Sequence, residues 1–283
     1  MTHARVTAGE VMVADALRDA ASALGTVSDT ARLDAEVLMA HGLGVSRSEM
    51  ILRHMRDPAP MGFAALCARR MAQEPVAYIV GEQEFYGRPF WVTPQVLIPR
   101  GDSETIVDVA LDACPAPARV LDCGVGSGAL LLSVLAERPG AQGIGVDRSL
   151  GALAVAAANA GRHGLVARSR MMQRDWSEPG WAADLGQFDL ILANPPYVEA
   201  GAALDRSVRA YEPAGALFAG ADGLDDYKVL IPQLRRSLVR GGCVVLEIGH
   251  NQAEMVGAIA RVSGFSTGLH HDLAGRPRAM ILK

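Results

Sequence analysis

Apolar positions recur at helical spacing through the first part of the chain. A stripe at every third or fourth position predicts a helix from Glu10 to Leu24. Further helices are predicted after the cap Ser28-Asp29, at the capping box Ser46-Arg-Ser-Glu49, and from Phe63 to Met71. Residues 1–74 are therefore predicted to form a small all-α domain, which would serve either as a binding surface or as a stabilising cap.

The pattern changes between Pro75 and Arg100, where short aromatic and apolar runs are separated by glycines. The runs are Tyr78–Gly81, Glu84–Gly87 and Phe90–Val92. Aromatic residues bounded by glycine turns favour strands, so we predict a β-hairpin here. Residues 75–100 would then link the helical domain to the rest of the chain.

From residue 101 onward, apolar runs of strand length alternate with helical segments. The predicted strands are Val120–Cys123, Gly143–Val146, Ser169–Arg174, Leu190–Ala193 and Cys243–Gly249, with strand-like segments near Phe265–Leu269 and Arg278–Leu282. Helices are predicted near Ser103–Ala113, Ala129–Glu137, Leu153–Asn159, Asp226–Val239 and Gln252–Ser263. This alternation predicts an α/β domain over residues 101–283, Rossmann-like, with a mostly parallel sheet and helices on both faces.

A glycine-rich loop follows the first of these strands and opens a helix. The loop is Gly124-Val125-Gly126-Ser127-Gly128, and glycines at such a place let a ligand approach the backbone at a helix N-terminus. Asp147 ends the next strand, where an acid can accept both hydroxyls of a ribose. The third strand ends at Asp175-Trp176, a pair suited to flank an adenine by hydrogen bond and ring contact. These residues predict a nucleotide site.

The fourth strand ends at Asn194-Pro195-Pro196-Tyr197. Two prolines fix φ twice and remove two donors, so the strand stops in a rigid turn. The Asn194 side-chain oxygen and the Pro195 carbonyl could accept both hydrogens of a planar NH2 group, while Tyr197 could stack on it. Those acceptors would return the lone pair to nitrogen and aim it at an electrophile. The structural alternative is an ordinary strand-ending turn with a packed tyrosine.

The nature of the nucleotide is decided by the two motifs together. The loop reads Gly-x-Gly-x-Gly, whereas the dinucleotide fingerprint is Gly-x-Gly-x-x-Gly. Hydride transfer requires no pair of acceptors for an NH2 group, but methyl transfer from S-adenosylmethionine to an amide or amine does. We therefore predict S-adenosylmethionine as the cofactor.

Composition limits the partners and the compartment. The net charge of −4 argues against a protein that binds nucleic acid by neutralising phosphates. The scattered cysteines, Cys67, Cys114, Cys123 and Cys243, form no Cys-x-x-Cys pair and predict reduced thiols and no metal site. We find no signal peptide and no apolar run approaching the roughly 20 residues that span a bilayer. We expect a cytoplasmic, membrane-free monomer.

Several motifs in order resemble one known family, the peptide chain release factor N5-glutamine methyltransferases, which have the class I methyltransferase fold. The motifs are Glu74–Gly81, Glu84–Gly87, Val96–Arg100, Asp122–Gly128, Asn194–Tyr197, Tyr211–Pro213 and Glu247–Gly249. Each motif alone is modest, but their occurrence in this order is highly specific and spans nearly the whole chain.

The resemblance implies a function and a set of site residues. The reaction would be methylation of the glutamine amide in the Gly-Gly-Gln loop of a release factor, with the helical domain helping to recognise that protein. Asn194 to Tyr197 would bind the glutamine amide, and Asn194, Pro195 and Tyr197 would act in catalysis. Gly124 to Gly128, Asp147, Trp176 and Asn194 would line the S-adenosylmethionine site. One departure is Gly101-Asp102-Ser103-Glu104, where the family usually has Pro-Glu-Thr-Glu.

Other functions remain open at this stage. The nearest alternative is a glutamine methyltransferase acting on a ribosomal protein, because the active-site motif does not separate the two substrates. An adenine-N6 DNA methyltransferase uses a similar turn, but the acidic net charge and the lack of a basic domain oppose it. A binding module with an inactive fold is the non-enzyme alternative.

Overall fold

The apolar stripe near the start of the chain forms a helix, α1 (Val13–Leu24), which buries Val13, Leu17, Ala20 and Leu24. The structure is a computed structural model that describes residues 11–283, so the predicted start at Glu10 lies outside the described residues. Then follow α2 (Ala31–Leu43), α3 (Arg47–Glu49), a π-helical turn (Met50–His54) and α4 (Phe63–Met71). As the capping box predicts, the Ser46 hydroxyl accepts a hydrogen bond from the Glu49 N–H at 3.1 Å.

Tyr78–Gly81, the first of the three runs from which a hairpin is predicted, is not part of it, because this segment lies in a short helix, α5 (Val76–Val80), that Gly81 ends. Pro75 precedes the helix with a fixed φ, and Gly81 ends it in a left-handed conformation at φ +78°. Tyr78 and Ile79 are buried. Packing in the helical layer therefore outweighs the strand preference of this aromatic and β-branched run.

The hairpin itself is confirmed. It consists of β1 (Glu82–Phe85) and β2 (Arg88–Trp91), which pair antiparallel so that Phe85 lies opposite Arg88. The two residues between the strands, Tyr86 and Gly87, both have positive φ, as the commonest two-residue hairpin turn requires.

The chain divides into two units. One comprises the described residues up to Gly81 together with Arg206–Tyr211, and the other comprises Glu82–Asp205 and Glu212–Lys283. Domain boundaries at residues 74 and 100 stay a prediction.

The larger unit contains the predicted α/β sheet. Its strands are β3 (Arg119–Cys123), β4 (Gln142–Asp147), β5 (Ser169–Gln173), β6 (Phe188–Ala193), β7 (Leu238–Glu247), β8 (Thr267–His271) and β9 (Pro277–Leu282). The order across the sheet is β5-β4-β3-β6-β7-β9-β8, and pairing is parallel from β5 to β7. The pairs of β9 with β7 and with β8 are antiparallel. Because the chain continues from one side of β3 to the other, the carboxyl ends of β3 and β6 form a topological switch point.

Helices cover both faces of this sheet. They are α6 (Glu104–Ala113), α7 (Ala129–Glu137), α8 (Leu150–Arg162), α10 (Asp225–Leu234) and α11 (Ala253–Val262), while α9 (Arg206–Tyr211) belongs to the smaller unit. Alternate residues of β6 enter different apolar clusters: Leu190 and Leu192 pack with α6, α7 and α8, whereas Ile191 packs with α10 and α11. A strand buried on both faces explains the continuous apolar run in the sequence.

The helix predicted to reach Val239 ends earlier, at Leu234. β7 then begins at Leu238, because this residue pairs with Phe188 of β6. The register shifts between Phe188 and Leu190, so the strand accommodates the glycine pair that follows Arg240 as an irregularity. The pair Gly241-Gly242 therefore lies inside an irregular strand.

Candidate active site at the switch point

The glycine-rich loop is fixed to the end of the neighbouring strand. The backbone N–H groups of Gly124 and Val125 both donate to the Val146 carbonyl, at 2.8 and 2.9 Å. Gly124, Gly126 and Gly128 all have positive φ, a conformation that other residues adopt only at a cost. The loop therefore turns sharply from β3 into α7 and leaves its backbone close to the space at the strand ends.

A single pocket at these strand ends contains most of the predicted site residues. We call it the strand-end pocket. Predicted residues that line it are Gly124, Val125, Gly126, Ser127, Asp147, Asp175, Trp176, Asn194 and Pro196. The predicted residues Gly128, Pro195 and Tyr197 are not part of its lining. The segment from Pro94 to Arg100 also contributes, and sequence reasoning had not placed it there.

Asp147 supports the loop from the neighbouring strand. Its two carboxylate oxygens accept hydrogen bonds from the Ser149 N–H at 2.9 Å and the Gly126 N–H at 3.1 Å. Burial raises the pKa of Asp147, and these backbone donors oppose that shift. A carboxylate has about four acceptor sites, so two remain for hydroxyl groups of a ligand.

Asp122 is a pocket residue that sequence reasoning missed. It lies within β3, its side chain is buried, and its Oδ1 has no hydrogen-bond partner among the described residues. Burial, reinforced by the nearby charge of Asp147, raises the pKa of Asp122 to about 7. The available signal was a carboxyl group next to the apolar pair Val120-Leu121 in a strand, two residues before the glycine-rich loop. A buried carboxyl with one oxygen left without a partner suits a cationic ligand group.

Trp176 is oriented by two side chains. Its indole N–H donates to Asp226 at 3.0 Å, and its backbone carbonyl accepts from the Gln233 amide at 2.9 Å. The ring lies close above the loop, since a Cβ added at Gly124 would be 3.2 Å from it. Asp175 accepts hydrogen bonds from the Ser177 N–H and hydroxyl, which lower the pKa of Asp175. An aromatic face and an ionised carboxylate therefore border one side of the pocket.

The turn after β6 presents Asn194 to the pocket. Among the described residues, no protein group forms a hydrogen bond with its carboxamide. The oxygen is therefore available as an acceptor. Pro195 and Pro196 are buried behind it, which restricts the turn further.

Tyr197 is not part of the pocket lining but bonds to a buried acid. Its hydroxyl donates to Glu247 at 3.2 Å, and burial together with that carboxylate raises the pKa of Tyr197 well above its usual value. Glu247 is itself buried at the end of β7. Burial raises the pKa of Glu247, and a hydrogen bond from Ser103 acts against that increase. In this structure the tyrosine anchors the turn. Stacking on a substrate amide stays a prediction.

Two sequence motifs meet next to the pocket. The buried Glu212 carboxylate accepts from the Ile98 N–H at 3.2 Å and forms an ion pair with Arg100. Glu212 thereby fixes the segment that forms one wall of the pocket. Nothing in either motif alone indicated this pairing.

The described residues contain no group of three or more His, Cys, Asp or Glu side chains arranged to hold a metal ion. Similarly, none of the helices between residues 11 and 283 is long and apolar enough to cross a membrane.

Two family models match the chain. The PrmC N-terminal domain matches residues 15–81, and the methyltransferase small domain matches residues 105–218. Among curated proteins, the release factor glutamine methyltransferase of Cereibacter sphaeroides is 42% identical, covering 94% of this chain and 96% of that protein. The same-named protein of Geobacter sulfurreducens is 43% identical over 84% of each chain.

The chain belongs to the release factor glutamine methyltransferase family. Identity at this level over nearly the full length of both proteins establishes the membership. A solved methyltransferase from Pyrococcus furiosus, 16% identical with a TM-score of 0.52 over 76% of this chain and 95% of that one, agrees in fold. The class I methyltransferase fold expected for the family is therefore confirmed.

Proposed function

We propose that the protein transfers a methyl group from S-adenosylmethionine to the side-chain amide nitrogen of the glutamine in the Gly-Gly-Gln motif of a peptide chain release factor. The observation that carries the proposal is the position of Asn194, which lines the strand-end pocket and whose carboxamide has no hydrogen-bond partner within residues 11–283. Membership of the family supplies the substrate class, because its curated relatives are release factor glutamine methyltransferases.

The pocket residues fit the cofactor group by group. The Oδ1 atom of Asp122, which has no partner among the described residues, suits an ammonium group. The free acceptor sites of Asp147 suit ribose hydroxyls, and the Trp176 ring suits an adenine. The loop from Gly124 to Gly128 allows close approach of the backbone. When bound, the cofactor would supply an electrophilic methyl carbon whose bond to the positively charged sulfur breaks toward sulfur.

The protein's part in the chemistry is to make an amide nitrogen nucleophilic. Conjugation of the lone pair with the carbonyl makes a carboxamide nitrogen unreactive, and acceptors for its two hydrogens oppose that conjugation. Asn194 would provide one acceptor through its side-chain oxygen, and Pro195 the other through its backbone carbonyl. Positioning the nitrogen in line with the methyl carbon is an entropic contribution that enzymes use to lower barriers by several kcal/mol.

No titrating side chain is required to remove a proton before attack. Once nitrogen has formed its new bond, it becomes acidic and its proton can pass to water. Tyr197 would not serve as a base, since its raised pKa keeps the phenol neutral at physiological pH. We also infer that the protein works as a monomer in the cytoplasm, where release factors act.

Mass spectrometry of candidate substrates tests the proposal. Purified protein and S-adenosylmethionine are incubated with a release factor, with the same factor carrying Gln→Ala in its Gly-Gly-Gln motif, with ribosomal proteins and with duplex DNA. A single added methyl group on the glutamine of the intact release factor is the expected result. Methylation of a ribosomal protein or of adenine, with an unmodified release factor, would replace the proposed substrate by one of those alternatives.

A further inference from the structure

A buried glutamine holds the far end of the Asn194–Tyr197 turn. The Gln252 side-chain amide donates to the Tyr197 carbonyl at 3.0 Å and to the Gly223 carbonyl at 3.2 Å. Its Oε1 accepts from the Gly249 N–H at 3.0 Å. The residue is only 3% exposed. One carboxamide therefore joins three separate backbone segments, and we call it the Gln252 clamp.

The backbone at Gly223 lies unusually close to the Tyr197 carbonyl. A Cβ built at Gly223 would lie 2.3 Å from the Tyr197 carbonyl oxygen, and this residue has φ +69°. Glycine is therefore required here for steric and conformational reasons. Any side chain at Gly223 would displace the Tyr197 carbonyl that Gln252 holds, so this glycine is needed for the clamp to form.

Tyr197 is fixed at its other atoms as well. Its hydroxyl donates to Glu247, and the next residue, Val198, donates its N–H to the Leu217 carbonyl at 2.8 Å and accepts from the Ala219 N–H at 2.9 Å. The protein thus restrains this end of the turn through side chain and main chain together. Asn194, at the opposite end, lines the pocket, and its side chain has no hydrogen-bond partner in the part of the chain that the structure describes.

We propose that Gln252 is a positioning residue for methyl transfer, one that holds the acceptor oxygens of Asn194 and Pro195 by fixing the Tyr197 carbonyl. This rests on the proposed function. Both proline φ angles are set by their rings, so the direction of the Pro195 carbonyl depends on the few torsions between it and Tyr197. Fixing the Tyr197 carbonyl removes much of this remaining freedom, and small displacements of catalytic acceptors are costly.

Two variants separate the hydrogen bonds of the clamp. Gln252→Met keeps the length of the side chain but removes all its hydrogen bonds. Gln252→Glu keeps an acceptor for the Gly249 N–H. It replaces the amide NH2, which donates to the Tyr197 and Gly223 carbonyls, by a carboxylate oxygen that cannot donate. The matched control is Asp189→Leu, at the opposite end of β6, which removes hydrogen bonds from the Ala118 and Arg119 N–H groups at 3.0 and 2.8 Å.

The kinetic experiment measures kcat and KM for release factor, the Kd for S-adenosylmethionine, and Tm. Both Gln252 variants should lose at least about tenfold in kcat while KM and Kd stay within about threefold, the pattern of lost transition-state stabilisation. Asp189→Leu should keep the original kcat and show only a lower Tm. If Gln252→Met does not fold, Gln252→Glu decides. A Gln252→Glu variant that is folded and retains kcat within about threefold of the original would overturn the proposal.

Hydrogen–deuterium exchange supplies a readout that does not depend on activity. Amide hydrogens in peptides covering residues 194–200 should exchange faster in the Gln252 variants than in the unaltered protein. In Asp189→Leu their exchange rate should be the same as in the unaltered protein. Unchanged exchange in the Gln252 variants would contradict the clamp. If the unaltered protein fails to methylate a release factor, the proposed function fails, and the exchange result alone then decides whether Gln252 holds the turn.

Discussion

The Glu212 carboxylate accepts a hydrogen bond from the backbone N–H of Ile98, 114 residues earlier in the chain. The same carboxylate forms an ion pair with Arg100, whose side chain is 41% exposed while that of Glu212 is 1% exposed. A segment of the pocket wall is therefore held by one buried acid located after the Asn194–Tyr197 turn.

Removing this carboxylate should destabilise the protein through the backbone donor it leaves behind. We expect Glu212→Ala to lower the free energy of unfolding by about 2 kcal/mol, because an orphaned buried N–H costs roughly 1–3 kcal/mol. Glu212→Gln keeps an acceptor for Ile98 and should lose less. Urea unfolding of both variants checks the order. Equal losses would mean that the ion pair with Arg100, and not the bond to Ile98, is the important contact.

Asp122 should make stability depend on pH. Its pKa is raised from 3.8 to about 7, so between these values the folded state retains a proton that the unfolded state has released. Stability should therefore fall as pH rises through this window, by about 1.4 kcal/mol per pH unit. Asp122→Asn carries no charge and should remove this dependence, becoming more stable than the original at pH 8.

Urea unfolding between pH 4 and pH 8 measures this effect for Asp122. The control is Asp19→Asn, which changes an exposed carboxyl on α1. It should leave the slope of stability against pH as it is in the unaltered protein. If Asp122→Asn retains that slope, the buried carboxyl is not the group that titrates.

Tyr197 and Tyr227 provide a matched pair for the anchoring bond. Tyr197 donates to the Glu247 carboxylate at 3.2 Å, and Tyr227 donates to the Glu247 backbone carbonyl at 2.8 Å. Each Tyr→Phe change should cost about 1–2 kcal/mol of stability. Only Tyr197→Phe loosens the turn, so we expect its kcat to fall about tenfold, equivalent to about 1.4 kcal/mol.

Unfolding curves and turnover assays on both tyrosine variants test this difference. A Tyr227→Phe variant that loses as much kcat as Tyr197→Phe would indicate that general loosening of the core around Glu247 lowers the rate. Unchanged turnover in Tyr197→Phe would mean that the backbone contacts alone hold the turn.

Local chemistry explains why much of the fold was predictable. The glycine-rich loop and the double proline depend on torsions within a few residues, and Asp147 stands at a strand end, so the sequence indicates their positions directly. The hydrogen bond from the Gly126 N–H to Asp147 joins two strands, and the sequence does not show it. The apolar runs of β3 and β6 are buried on both faces of the sheet. Because strands and helices alternate along this chain, such short runs are readily identified as strands. Where local preference and packing disagreed, at Tyr78–Gly81, packing decided.

The remaining features depend on contacts between distant segments. The pairing of Ile98 with Glu212, the Gln252 clamp and the direction of Tyr197 follow from the position of one strand or loop beside another. A single sequence does not show which distant segments lie close together in the fold. Asp122 is intermediate, because its place in an apolar strand is visible in the sequence but its missing partner is not.

The decisive test of the chemistry is Asn194 itself. Asn194→Ala removes a side-chain oxygen that lines the pocket, while Asp122, Asp147 and Trp176 are untouched. We expect kcat to fall about 10²–10³-fold, the usual loss when one polar group that stabilises a transition state is removed. The Kd for S-adenosylmethionine, measured by calorimetry, should stay within about threefold. Turnover at the original rate would exclude the two-acceptor mechanism, whereas loss of cofactor binding would assign Asn194 to the cofactor and not to the substrate amide.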